Sequence, residues 1–135
     1  MAPSSVGTTL AQVGGFLAEH YLQVLQSGVG VQVDYACGTG APQRIWAFPM
    51  PSTEDESPVL GSDTFTTFRS WKIPTQKDSN GVAWPPAGYP TPENKIIEVV
   101  NGTVWFVDDR NVQDLDSLGA LFQIPTRNDM PYKAR

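Results

Sequence analysis

The sequence predicts a mainly β domain, a small six-stranded antiparallel barrel or sandwich with one N-terminal amphipathic helix and long loops. Three observations predict it. Short runs rich in valine, isoleucine and aromatic residues recur between clusters of proline, glycine and polar residues, which is the all-β pattern. Two such runs flank Asn101-Gly102 within Lys95 to Asp108, K-I-I-E-V-V-N-G-T-V-W-F-V-D. Asn-Gly is the strongest short hairpin signal, because both central residues of a type I′ turn need φ > 0. Only one stretch, near the N-terminus, carries a helical period. The 135 residues, 40% hydrophobic and 17% charged, read as one domain over 1–135 that can bury a core without staples.

Residues 1–7, M-A-P-S-S-V-G, are small and polar and read as a flexible arm. Over 8–27, Leu10, Val13, Leu17, Tyr21 and Val24 recur three or four apart, one stripe of an amphipathic helix. Thr8 or Thr9 can cap it and Gly28 can end it. The Gly14-Gly15 pair weakens it by roughly 1 kcal/mol each against alanine, and such a pair often permits close backbone contact. The stripe serves either the domain's own sheet or a neighbouring subunit.

The barrel is expected over 29–127. Val29, Val31, Val33 and Tyr35 alternate with Gly30, Gln32 and Asp34, a half-buried strand. A turn over 36–42 and a strand over Arg44 to Phe48 complete a hairpin. Pro49 to Asp63 reads as a long acidic loop centred on Glu54, Asp55 and Glu56. Thr64 to Ile73 is a third strand. Pro74 to Pro92 contains W-P-P-A-G-Y-P from Trp84. Its prolines lack ladder N–H groups, so it is no central strand; it is either a rigid connector packing Trp84 on its own barrel or a docking loop. In the Asn-Gly hairpin, a two-residue turn sets Val99 opposite Val104, Ile97 opposite Phe106 and Glu98 opposite Trp105. The face bearing Ile97, Val99, Val104 and Phe106 is wholly apolar and is expected to be core. The face bearing Ile96, Trp105 and Val107 is expected outside, partly covered by a helix or a partner. Asp109 to Leu118 is a polar connection, Gly119 to Thr126 the last strand, and 128–135 a polar tail.

Net charge −5 and a pI near 4.6 leave no basic face for binding nucleic acid. No run approaches the roughly 20 apolar residues of a membrane span, and no basic n-region marks a secretory signal, so a cytosolic origin is expected. Lone Cys37 makes no disulfide framework and no zinc site. His20 is read as helix surface and Cys37 as a turn residue, so no nucleophile–base pair is expected. The acidic segment D-D-R-N-V-Q-D-L-D from Asp108 lacks the glycine of a calcium loop and contains Arg110. No phosphate loop, metal spacing or dinucleotide fingerprint appears. The expectation is a protein without catalytic, cofactor or metal residues.

The order of motifs from Val29 to Arg127 resembles a known family. It comprises a V-x-V-x-Y strand (Val31, Val33, Tyr35), an Ile-Trp-Ala strand, a strand ending R-x-W-x-I-P (Arg69, Trp71, Ile73, Pro74) and a Trp-bearing hairpin. That hairpin carries Pro92, Ile97, Gly102, Trp105 and Val107, and the last strand ends in Thr126-Arg127. This arrangement is similar to the head–tail joining (head-closure, or stopper) proteins of long-tailed bacteriophages. Two features depart from it. Glu93-Asn94-Lys95 stands where that family usually has Gly-Asp, and the N-terminal helix is longer.

The resemblance implies a virion protein at the head–tail neck, synthesised in the bacterial host cytoplasm. It implies a hexameric or dodecameric ring of the chain with itself, between a portal or adaptor protein and a tail terminator or tail tube. DNA would pass through without sequence-specific binding. Leu10, Val13, Leu17, Tyr21, Trp84, Tyr89 and Trp105 are the candidate subunit-interface residues, and Glu54, Asp55 and Glu56 the candidate channel or docking loop. Two alternatives are a tail terminator or capsid decoration protein, and a carbohydrate-binding β module with Trp46, Trp71, Trp84 and Trp105 as stacking platforms.

Overall fold

Six strands with residues alternating between an inner and an outer face, joined by loops of unequal length, close a sheet on itself. The computed structural model describes residues 10–38, 40–56, 65–115 and 118–128. In it, α1 (Leu10–Val24) and a wider final turn (Leu25–Val29) precede ten strands. Six of these form the barrel: β1 (Val31–Cys37), β2 (Gln43–Pro49), β4 (Phe65–Pro74), β7 (Asn94–Glu98), β8 (Val104–Val107) and β10 (Leu121–Arg127). The ladder runs β4-β2-β1-β7-β8-β10, every pair antiparallel, and pairing of β10 with β4 closes it. The expected six-stranded barrel with an N-terminal helix is the fold observed. Four short strands are additional. The edge strand β3 (Thr53–Glu56) pairs with β4, β9 (Gln113–Asp114) with β10, and β5 (Gln76–Lys77) with β6 (Ala83–Trp84) as a separate hairpin.

Side chains fill the barrel, as its small strand number requires. Val33, Ile45, Ala47, Ile73, Ile96, Val107 and Ile124 form the middle. At one end Trp71 and Trp105 meet edge to face, centroids 6.3 Å apart. The Trp71 indole donates to Thr126 Oγ1 (3.1 Å), and that hydroxyl donates to the Arg69 carbonyl (2.7 Å). The Arg69 guanidinium lies over both indoles, 5.7 and 5.3 Å from their centroids, a cation–π arrangement.

The hairpin of β5 and β6 closes the other end. Trp84 is fully buried against Tyr35, Tyr89 and Phe122. Gln76 fastens this hairpin by extending the ladder with its side chain. Its amide accepts from Trp46 N–H and donates to the Trp46 and Pro74 carbonyls. Asp78 holds the turn, accepting from Asn80 N–H, Val82 N–H and Gln43 Nε2. Pro74 to Pro92 is thus the connector that packs Trp84 on its own barrel, with Trp84-Pro85 and Tyr89-Pro90 both cis.

The Asn-Gly hairpin departs from expectation twice. Its loop has four residues, with Ile97 opposite Val104, Ile96 opposite Trp105 and Lys95 opposite Phe106. Gly102 alone takes positive φ (+74°). Asn101 instead accepts Thr103 N–H through its side chain, and Gly102 N–H donates to the Glu98 carbonyl. That is a longer loop, not the I′ geometry. The faces are also reversed: Asn94, Ile96, Trp105 and Val107 point into the core, while Ile97, Val104 and Phe106 lie half-buried outside. Inside, the Trp105 indole meets Trp71 edge to face and its N–H donates to the Glu98 carboxylate (2.8 Å), so the ribbon's largest side chain is buried with its donor satisfied. Phe106, outside, sits beneath Lys95 Nζ (5.8 Å).

Helix α1 docks through small residues. Gly14, Ala18 and Leu25 are buried, and a Cβ on Gly14 would stand 2.8 Å from the Leu118 carbonyl oxygen. Gly28, the expected end, takes positive φ (+128°) inside the final turn, which runs on to Val29 and is capped by Gly30. Of the expected stripe, Val13, Leu17, Tyr21 and Val24 therefore straddle the edge of the docked face instead of forming it. The expected caps Thr8 and Thr9 lie outside the described residues.

Candidate interaction surfaces

Three surfaces stand out once the barrel and its end hairpin have claimed their side chains. The first is the outer side of α1. Docking through Gly14 and Ala18 leaves the larger apolar residues at the flank or beyond it. Leu17 and Tyr21 are half-buried, and Val13 (36% exposed), Phe16 (70%) and Val24 (44%) face out. His20 is exposed between them and touches the Tyr21 ring at 6.4 Å. Leu10 opens the helix, its side chain outside the described residues. The second is the tip of the β7–β8 hairpin, where Val99 and Val100 stand exposed, Val100 at 88%. The third is β3. The expected acidic loop is a strand at its centre: Glu54, Asp55 and Glu56 pair with Thr67, Thr66 and Phe65 of β4, and their side chains lie outside the described residues. Acidic residues on such an edge discourage further strand pairing.

Other candidates are absorbed by the chain itself. Trp84 is fully buried and Trp105 nearly so, so neither presents a surface to a neighbour. Their burial follows from the end hairpin for Trp84 and the reversed β7–β8 face for Trp105. Tyr89 is half-buried, its hydroxyl accepting from Tyr35 OH at 3.1 Å. Tyr35 in turn accepts from Asn94 Nδ2 (3.0 Å), and Thr91 donates to Asn94 Oδ1. Burial raises both phenols above the ordinary tyrosine range. Cys37 sits beside this network, and burial pushes its thiol up as well, the opposite of what a nucleophilic thiolate needs. Trp71 is fully buried, which leaves Trp46, half-buried on the outer face of β2, as the sole partly open indole.

Among the described residues, no group of three or more His, Cys, Asp or Glu side chains is placed to hold a metal ion. No helix is long and apolar enough to cross a membrane. An open depression of about 430 Å³ lies between Phe68, Pro125, Arg127 and the Asp108–Arg110 turn. It carries acids and bases in a shallow, solvent-open setting. Across the β1–β2 hairpin, Arg44 makes two parallel bonds to Asp34, at 3.0 and 3.1 Å, an exposed pair of small energetic weight.

Phe16 and Val100 were not among the sequence candidates. Phe16 is adjacent to the Leu17 stripe position, and a phenylalanine one residue off a helical stripe is itself a signal of a second face. Val100 was hidden by the assumption that the strand ran up to Asn101. No family model, curated protein or solved structure matches this chain.

Proposed function

We propose that this chain is a structural virion protein of a tailed bacteriophage, working in the head–tail neck as a ring that joins the portal or adaptor complex to the tail. One observation carries the reading. About half of the residues on which the family resemblance rests meet in one place. Val33, Tyr35, Trp71, Ile73, Trp105, Val107 and Thr126 are buried within one closed barrel, whereas Val31, Arg69, Ile97 and Arg127 are half-buried and Pro92 and Gly102 exposed. A motif order half of whose members assemble into a single core argues for likeness of a structural unit, though it speaks to fold before function.

The surfaces suit a building block. Apolar residues are exposed on α1 and at the β7–β8 tip, and side chains fill the barrel instead of lining a pocket. The acidic balance suits a ring that DNA slides through, since a basic lumen would retain phosphates. Such a ring would be a hexamer or dodecamer, with a portal or adaptor protein on one side and a tail terminator or tail tube on the other. The carbohydrate-binding alternative loses its basis, because three of the four tryptophans are core.

The test is deletion of the gene in its phage, followed by electron microscopy. The expected particles are filled heads that leak DNA, beside separate finished tails, with joining restored by the intact gene. Joined, infectious particles in the deletion strain would overturn the neck assignment. Heads joined to tails of uncontrolled length would indicate a tail terminator, and intact but fragile capsids a decoration protein.

A further inference from the structure

The outer side of α1 differs from the rest of the surface in charge as well as in polarity. The chain has nine basic and fourteen acidic residues, yet Glu19 is the single charged side chain before Asp34. Val13, Phe16, His20 and Val24 follow one another at i, i+3, i+7 and i+11, forming one exposed stripe on the side away from Gly14, Ala18 and Leu25. A lone exposed valine is ordinary. A continuous stripe with Phe16 at its centre, on a helix with one charged residue, marks an interaction surface.

We propose that this stripe is a self-association surface, covered by a second copy of the chain. Charge selects the partner. Two copies at −5 repel wherever their acidic surfaces approach, and the near-neutral N-terminal quarter is where that repulsion is weakest. Nucleic acid and anionic membrane surfaces are drawn to clustered lysine and arginine, and the first basic residue of this chain is Arg44. A ridge spaced at three and four residues fits the groove of another helix. The same docking that buries Gly14 and Ala18 is what turns Phe16 outward, so the surface is a product of the fold. The proposal rests on the building-block reading, which calls for contacts between copies, and it names the surface that makes them.

Sedimentation velocity on the purified full chain tests it, over a wide concentration range. The wild type is expected to rise above the 14.7 kDa of one chain as concentration increases. Phe16→Glu should weaken that association about tenfold or more, as loss of a central aromatic anchor does, with an unchanged thermal midpoint. Val100→Glu, at a still more exposed apolar site, should leave association intact. A wild type that stays at one-chain mass throughout overturns the proposal, as does association that survives Phe16→Glu. The neck assignment is read separately. A chain monomeric in solution but present in joined particles sinks this inference and leaves that assignment standing. A self-associating chain absent from particles does the reverse.

Discussion

Removing the Trp84 indole empties the space between Tyr35, Tyr89 and Phe122, whose ring centroids lie 5.2, 5.2 and 5.9 Å from its own. Trp84→Ala is expected to cost about 3–5 kcal/mol in a denaturant titration. Phe106→Ala, on the outer face, should cost about 1 kcal/mol. The equal loss of both would place Phe106 in the core after all. Titratable residues at the same end predict a pH response with two signs. The Tyr35 and Tyr89 phenols are raised by burial. Their contribution is complete below the unfolded tyrosine value of about 10 and is lost as pH rises past it. Asp78 is held below the usual carboxylate range, first by Val82 N–H, then by Gln43 and Asn80. Its contribution is complete above about pH 4 and lost as pH falls through the lowered value. The denaturation midpoint should therefore fall on both the acid and alkaline sides, and Asp78→Asn should flatten the acid limb alone. Packing of Trp84 on its own barrel is one of the two readings its proline-rich stretch allows, but the hydrogen bonds of Asp78 and Gln76 were not legible, because the surrounding prolines and glycines advertise only a loop.

Helix α1 makes a sharper test of packing, since its paired glycines sit in opposite surroundings. Gly14 faces the Leu118 carbonyl at 2.8 Å from a would-be Cβ, whereas Gly15 meets nothing within 4 Å. Gly14→Ala should destabilise by about 1–3 kcal/mol through overpacking against backbone. Gly15→Ala should stabilise by roughly 0.5–1 kcal/mol through helix propensity alone. Thermal melts of the two variants should move in opposite directions. That a helix occupies this segment follows from its apolar period. Which side docks does not, because hydrophobic counting favours large residues while close approach favours glycine and alanine. The β7–β8 ribbon posed the same difficulty in another form. With valine, isoleucine, phenylalanine and tryptophan on both sides, alternation identifies a strand but cannot choose its inner face. In the fold, the face bearing Trp105 turns inward and packs that indole against Trp71. The short strand β3 escaped notice because Glu54-Asp55-Glu56 has the composition of a solvated loop; pairing with β4 overrides that preference.

At the scale of the whole molecule, all six barrel strands were readable from periodicity and turn chemistry, and their closure follows from β10 meeting β4 along seven register pairs. The exposed apolar side of α1 was only half readable, for the same reason that its docking side was not. The closed barrel also decides something about any passage through a ring of copies. Its own axis is blocked, by two edge-to-face indoles and an arginine at one mouth and by a tryptophan stopper at the other. If the proposed ring forms, a double helix would have to travel in a gap enclosed by many copies, and the bore would depend on how many join and how their loops lean inward. Widening that bore would take an extra protomer, while hollowing out the individual barrels would leave it unchanged.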